Sequence, residues 1–413
     1  MEFDDIVIGS GIAALGAVLG LTNDDRRRVA VLCGPAEQRF HYYDAREVVP
    51  CAFLGEGGLG SHWHGVIPTG WHSNIAAITD ETFCSAFRRF YPHTRVRERL
   101  GTPALFVPWR PIRPARELRR LAASQAPARV TLLNQAAQDL WFDERGVTVA
   151  SPGGEIHQAA RAWVAAGALH TPRLLARRLA PRASRGLVSD HAFCYVGQVD
   201  GQDKPAIEHT LDGLFFPAVY DDAFTALYTL RPATFSFRRL DVGIEQRSVF
   251  GLPTGTALVK LMRRASPGLL VEAFYNRFGL FAAAPTHSVY AQTLARDAYN
   301  LLPGPGPSLL QARTEQIRRA TDAARGAQPF AGLRHSRRPE LHLPGIHLHH
   351  SLDLPELVRA GVNSADSPVQ VVDASVLADV GPDHHSFKML IAAQQRAIRW
   401  GSSSEPAVPT NTR

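Results

Sequence analysis

Lysine is nearly missing from this chain. It stands only at 204, 260 and 388, and arginine supplies the rest of the 45 positive charges. The net charge is +7 and the isoelectric point is near 9.5. Yet the arginine runs are short, a triple at 26–28 and pairs such as 263–264 and 337–338, and they are spread along the chain. A nucleic-acid-binding face needs clustered cations, so no nucleic-acid partner is expected. Cysteine is scarce too: Cys33, Cys51, Cys84 and Cys194, with no CxxC spacing. Nothing therefore points to a cysteine-based zinc site or a disulfide framework. No run of eighteen apolar residues occurs, so no membrane span is expected. The opening MEFDDIVIGSG is acidic and lacks the basic start of a secretory signal. A cytoplasmic setting is the expectation.

What is present is core-forming. Of the 413 residues, 45% are hydrophobic and 20% charged, enough to bury one large core or two sharing a cofactor. The polar end, 401–413, has no apolar periodicity and reads as a disordered tail. Near the start, Asp5–Ile8 is a short apolar run suited to a central parallel strand. Gly9-Ser10-Gly11-Ile12-Ala13-Ala14 follows and opens an apolar helix. This is GxGxxA: Gly9 permits the turn, Gly11 lets backbone approach a pyrophosphate, and small Ala14 lets helix and strand pack closely. The free N–H groups of the helix then face the phosphates. Between a clear strand and a clear helix, the motif points to a dinucleotide. The second strand, Val29–Leu32, normally ends in a ribose-binding acid. Here Cys33 holds that place, with Glu37 nearby on a different loop path.

Further glycine-rich and histidine-rich stretches follow. Gly57-Gly58-Leu59-Gly60-Ser61-His62-Trp63-His64-Gly65 is a second such loop. Ala166-Gly167-Ala168-Leu169-His170-Thr171-Pro172 reads as a strand end, a close-approach glycine and a Pro-initiated helix. Ser189-Asp190-His191 comes next. Late in the chain stand Val371-Val372-Asp373-Ala374-Ser375-Val376 and a helix over 387–398 with a mostly apolar face. Taken in this order, these motifs resemble those of the glucose-methanol-choline (GMC) oxidoreductases. The resemblance covers about 1–70, 130–195 and 340–400.

That resemblance implies an α/β fold (α+β overall). A Rossmann-like FAD-binding domain would come from 1–195 and 340–400, with a smaller antiparallel-sheet substrate domain over 196–339. It implies FAD held by Gly9, Gly11, Ala14, Cys33, Gly58, Gly60, Ser61, His62, Trp63, Gly167, Asp373, Ala374, His385 and Ser386. Val371–Val376 would form one strand, and the last helix would point its N-terminus at the flavin, where negative charge grows on reduction. The Ser-His-Trp loop is similar to the pyranose 2-oxidase and C-glycoside oxidase branch. In pyranose 2-oxidases the His of that loop is joined covalently to the flavin. By position it is His62, and because non-covalent relatives exist, both forms of attachment stay open.

The middle segment reads as strands over 255–263 and 269–276, a turn at 266–268, and a helix over 308–325. Its aromatics (Phe215, Phe216, Tyr220, Phe224, Tyr228, Phe235, Phe237, Phe274, Tyr275) are expected mostly in the core. Chemistry falls to two histidine clusters. A neutral imidazole suits removal of a hydroxyl proton, because its pKa lies near working pH. The family's paired positions correspond to His347-Leu348-His349-His350 and Asp383-His384-His385. His347 is the expected base, with His349 or His350 taking the role if the loop differs in length. Its partner is His384 or His385. A competing reading gives His347, His349 and His384 or His385 to zinc or iron. No acidic ligand pairs clearly with them, so no metal is expected.

The expected reaction oxidises an alcohol, such as a sugar, glycoside or glycosylated natural product, to a carbonyl. Hydride passes to flavin, and oxygen or another acceptor reoxidises it. Three alternatives stand: a redox-neutral lyase-like flavoprotein, a flavin subunit passing electrons to a cytochrome, and a binding protein without turnover. Oligomeric state, a homo-oligomer included, is not written in the sequence.

Overall fold

The computed structural model describes residues 2–34, 39–42, 51–63, 65–70, 78–124, 129–179, 185–200, 203, 207–222, 224–228, 285–300, 318–319, 322–335, 342–344, 347–378 and 380–402. Strand β1 (Phe3–Ile8) leads through Gly9 into helix α1 (Ile12–Leu21) and then strand β2 (Val29–Leu32). Residues 5–8 pair in parallel with 29–32. Further parallel pairings run from β2 to Val130–Leu133, from β1 to Ile156–Val164, and from there to Val369–Val371. The hairpin Asp139–Asp143 and Gly146–Ala150 completes this seven-stranded sheet by antiparallel pairing.

A second sheet of nine strands is antiparallel. Its long members are Arg185–Asp200 and Thr286–Asn300, joined by Gly213–Tyr220 and Phe224–Tyr228. Ile67–Pro68 and Ala104–Pro108 pair at its edge, so it draws on chain from both sides of residue 195. Among the aromatics of this region, Phe215, Phe216 and Phe224 are buried core residues. The strands read over 255–263 and 269–276, with their turn, lie outside the described residues. The helix read over 308–325 is described only at 318–319 and 322–326, where it is helical.

Two boundaries differ from the sequence reading. Val371–Val376 is not one strand: the strand ends at Val371, and Ala374–Val376 form a short 3-10 turn capped by Asp373. The last helix runs Ser386–Ser402, so Gly401 and Ser402 belong to it rather than to a tail. Only 403–413 of that segment lie outside the described residues.

Strand β1 buries a charge. Asp5 is fully buried and is met by Arg27 at 3.0 Å, by Arg161 at 3.5 Å and by the Trp163 indole N–H at 2.8 Å. A buried carboxylate persists only when so paired. Helix α1 is buried from Ala13 to Leu21, as a helix apolar on every side must be. One side meets the C-terminal helix across Gly16 and Gly20. A Cβ at Gly16 would sit 2.2 Å from the Leu390 carbonyl oxygen, and one at Gly20 would sit 2.5 Å from that of Gln394. Backbone on both sides cannot yield cheaply. Gly16→Ala is therefore expected to destabilise the fold by about 1–3 kcal/mol through overpacking, despite alanine's better helix propensity. An unchanged or raised urea midpoint would refute this contact.

Candidate active site

Gly9 ends β1 at φ +111, and a Cβ there would fall 2.3 Å from the Ala165 carbonyl oxygen. Gly11 is the N-cap of α1. No side chain caps that terminus, and no acid stands in its first turn. The second glycine-rich loop lies across it. Gly57 donates its N–H to the Ser10 hydroxyl at 2.9 Å, and that hydroxyl donates to the Cys33 carbonyl at 3.1 Å. A Cβ at Gly58 (φ +51) would sit 3.9 Å from the Gly11 Cα, and one at Gly60 would sit 3.3 Å from the Ile12 amide nitrogen. The three sequence-predicted elements Gly9–Gly11, Cys33 and Gly58–Gly60 thus come together.

Ala14 is buried within α1. Ser61 donates to the Glu56 carbonyl at 2.8 Å. Arg113 clamps the loop by donating to the Ser61 and Trp63 carbonyls at 3.2 and 2.6 Å. Trp63 is buried, and its indole N–H has no hydrogen-bond partner among the described residues. His62 ends the 3-10 turn Gly58–His62; His64 lies outside the described residues. Cys33 is buried, and desolvation together with the nearby Glu56 charge pushes its thiol up to about 12. Glu56, absent from the sequence reading, is the acid whose charge reaches the end of β2. It pairs with Arg119 at 2.7 Å.

Asp373 ties the Gly167–Thr171 turn to the late part of the chain. Its carboxylate accepts from the Gly167 amide at 2.8 Å, the Thr171 hydroxyl, and the amide and hydroxyl of Ser375. Burial raises its pKa against the pull of these donors. Gly167 stands at φ +90, and a Cβ there would meet nothing within 4 Å. Beside it, His350 donates to the Ala374 carbonyl at 2.8 Å, and Ser351 and Leu352 donate to that of Ser375 at 2.9 Å. Segment 347–352 is stitched on its other side to Ser189 by the Ser189–His349 backbone pair.

Five imidazoles converge there. Ring centroids are 5.5 Å apart for His347–His384, 5.8 Å for His347–His385 and 4.7 Å for His349–His385. His191 joins them, 5.3 to 5.7 Å from His349, His385 and His347. His191, His349, His384 and His385 are buried, while His347 is half-buried. Desolvation and neighbouring imidazoles push His191 down to about 3 and His385 well below its ordinary value. Both are neutral at pH 7. His350, by contrast, has φ +52, a backbone conformation that glycine favours.

The backbone around the cluster is fixed by acids. Asp190 accepts from the amides of His191 and His347 at 2.7 and 2.8 Å. Asp383 accepts from the His384 amide at 2.8 Å and from the Lys388 ammonium at 2.9 Å. Burial pushes the Asp383 carboxyl up, and Lys388 opposes that shift. Ser189-Asp190-His191 stands among the sequence motifs, but His191 is not among the residues expected in the site. Its Asp-His pairing was the available signal. Nothing short of the fold would have placed Lys388.

No family model and no curated protein matches this chain in sequence. Solved structures share its fold. Pyridoxine 4-oxidase from Mesorbium loti aligns over 97% of this chain and 100% of its own, at 13% identity and a TM-score of 0.55. A fungal aryl-alcohol oxidase aligns over 97% and 99%, at 13% identity and a TM-score of 0.50. The shared feature is the architecture: a parallel-centred α/β sheet with a separate antiparallel sheet. That is the fold implied by the resemblance to GMC oxidoreductases. Among the described residues, no helix is long and apolar enough to cross a membrane.

Two outcomes follow from this geometry. Cys33 should resist iodoacetamide at pH 8 in the native protein and react once urea exposes it, because only the thiolate attacks; rapid native labelling in a site-resolved digest would contradict its burial. Lys388→Met should cost about 3–5 kcal/mol by leaving the Asp383 carboxylate buried and unpaired, read as a lower denaturation midpoint. An unshifted midpoint would mean that this pair holds nothing in place.

Proposed function

We propose that this chain is a GMC-type FAD oxidoreductase that oxidises an alcohol to a carbonyl. The observation that carries the proposal is the convergence of His347 with His384 and His385 in a fold shared with two oxidases. The names of those two proteins point to alcohol-bearing ring compounds. The Ser61-His62-Trp63 loop favours a sugar, a glycoside or a glycosylated natural product.

The residues present fit FAD. The uncapped N-terminus of α1 and the glycine lane of Gly11, Gly58 and Gly60 suit a pyrophosphate. Gly167, with open space where a side chain would stand, and the buried Trp63 N–H without a partner among the described residues suit a large polar group. Gly9, Ala14 and Ser61 would support the phosphates, while Ala374 and Ser386 would stand near the ring. Cys33 brings no charge to the ribose, and Glu56 is the acid within reach. When bound, the flavin supplies the hydride acceptor.

The chain's own residues handle the proton. His347 is the least buried of the five imidazoles and takes the hydroxyl proton as general base. His384 is the second imidazole, held by the Asp383–Lys388 pair. The φ of His350 supports this register. The family's HxxGT motif puts glycine at that position, which makes His347 its histidine. In this reading 1–195 and 340–400 carry the cofactor, and 196–339 shape the substrate side.

The test is the visible spectrum of the purified protein. A flavin band is expected, bleached anaerobically by the right member of a panel of sugars, glycosides and aryl alcohols. His347→Ala should keep the band and lose most of the bleaching, since a positioned base contributes about 10²–10⁴-fold. Acid precipitation reports the attachment: colour in the pellet means a covalent link, for which His62 is the candidate. A colourless protein that FAD cannot reconstitute would overturn the proposal.

A further inference from the structure

The imidazole cluster divides into two sets. His347 and His384 form one. In the other, each of His191, His349 and His385 offers one ring nitrogen, and these nitrogens lie within 4.8 Å of one another. We infer that His191, His349 and His385 form a binding site for a single borderline divalent cation, Zn²⁺ by preference.

Two of the three rings are already set in the tautomer a metal requires. His191 Nε2 lies 3.0 Å from the Gly381 carbonyl oxygen. A carbonyl only accepts, so Nε2 carries the proton and Nδ1 carries the lone pair. That Nδ1 is buried and has no hydrogen-bond partner among the described residues. His349 Nδ1 lies 2.8 Å from the His347 carbonyl oxygen. The same argument leaves the lone pair of His349 on Nε2. Backbone carbonyls that fix the far nitrogen of a ligating histidine are the usual outer support of a metal site. His385 adds a ring whose Nδ1 is likewise buried and partnerless.

The supports are stiff. His191 sits on the long strand Arg185–Asp200, His349 is bonded through its backbone to Ser189 of that strand, and the His385 carbonyl accepts from Met389 in the last helix. Zn²⁺ binds imidazole nitrogen at about 2.0–2.1 Å, which sets tetrahedral ligand nitrogens about 3.4 Å apart. The three rings reach that spacing by closing roughly an ångström. Three imidazoles leave a fourth position for water or another oxygen donor, and Asp190 holds the His191 and His347 backbone amides. Imidazole donors without a thiolate favour Zn²⁺, Cu²⁺ or Ni²⁺ over Mg²⁺ or Ca²⁺. The chemistry is simple coordination, with no change in oxidation state. The inference does not rest on the flavin reading, although His385 takes part in both.

The experiment uses untagged full-length protein stripped with a chelator, carrying whatever flavin it retains. Zn²⁺ is titrated calorimetrically, and metal content is measured after gel filtration. One equivalent per chain is expected, with a sub-micromolar Kd. His191→Gln and His349→Gln should weaken binding at least tenfold, while His347→Ala should keep one equivalent, since only its backbone carbonyl is needed. Glutamine keeps a polar side chain in the buried space, and circular dichroism confirms the fold of each variant. X-ray absorption of the Zn²⁺-loaded wild type gives a check that needs no variant: a nitrogen shell with three imidazole outer shells is expected. No stoichiometric uptake, unaltered affinity in both folded Gln variants, or a shell with fewer imidazoles would overturn the site. The last two would assign the ion to others among the 17 histidines.

Discussion

One buried carboxylate sets the geometry on which the site depends. Asp373 accepts four hydrogen bonds from residues on two distant segments, the Gly167–Thr171 turn and Ser375. Each bond costs desolvation and returns more than a neutral one would, because the acceptor is charged. The turn that follows Asp373 then offers its carbonyls at Ala374 and Ser375 to the histidine segment 350–352. Gly167 and the imidazole cluster therefore hang from the same anchor. A displacement at Asp373 would move both together.

The imidazoles show how a protein keeps titratable groups silent. Five rings packed within about 6 Å could not all carry charge in a dry interior. The structure settles the matter by burial, which holds His191 and His385 neutral and leaves half-buried His347 nearest to solvent. Asp190 and Asp383 hold the backbone instead, their oxygens accepting from amides of the histidine segments. Burial keeps His191 and His385 neutral while acids one step away fix the segments that carry the cluster.

Much of this was legible in the sequence. The strand–GxGxxA–helix unit folds as read because its signals are local: an apolar run, a positive-φ glycine and a helix of small apolar residues. The two histidine clusters converge as read for a different reason, since they follow a motif order. What the sequence hid was long-range. Asp5 opens an apolar run in the sequence, and its burial rests on Arg27, Arg161 and Trp163, which only the sheet brings near. The strand ends at Val371, short of the expected Val376, because Asp373 caps a turn with its own side chain. His191 joins the cluster through strand pairing, which no spacing rule encodes. Cys33 marks the place where the local pattern and the expected chemistry part, and Glu56 approaches it from another loop.

The glycines at 16 and 20 carry a consequence for the life of the chain before it is complete. They seat the first helix against residues 390–397, at the opposite end of the sequence. During synthesis that apolar face has no cover until residues 390–397 have left the ribosome. Contacts of such separation form late and slowly, and the nascent chain meanwhile presents a sticky surface at its Ile12–Leu21 helix. Dependence on chaperones, rather than marginal native stability, is then the natural bottleneck to producing this protein.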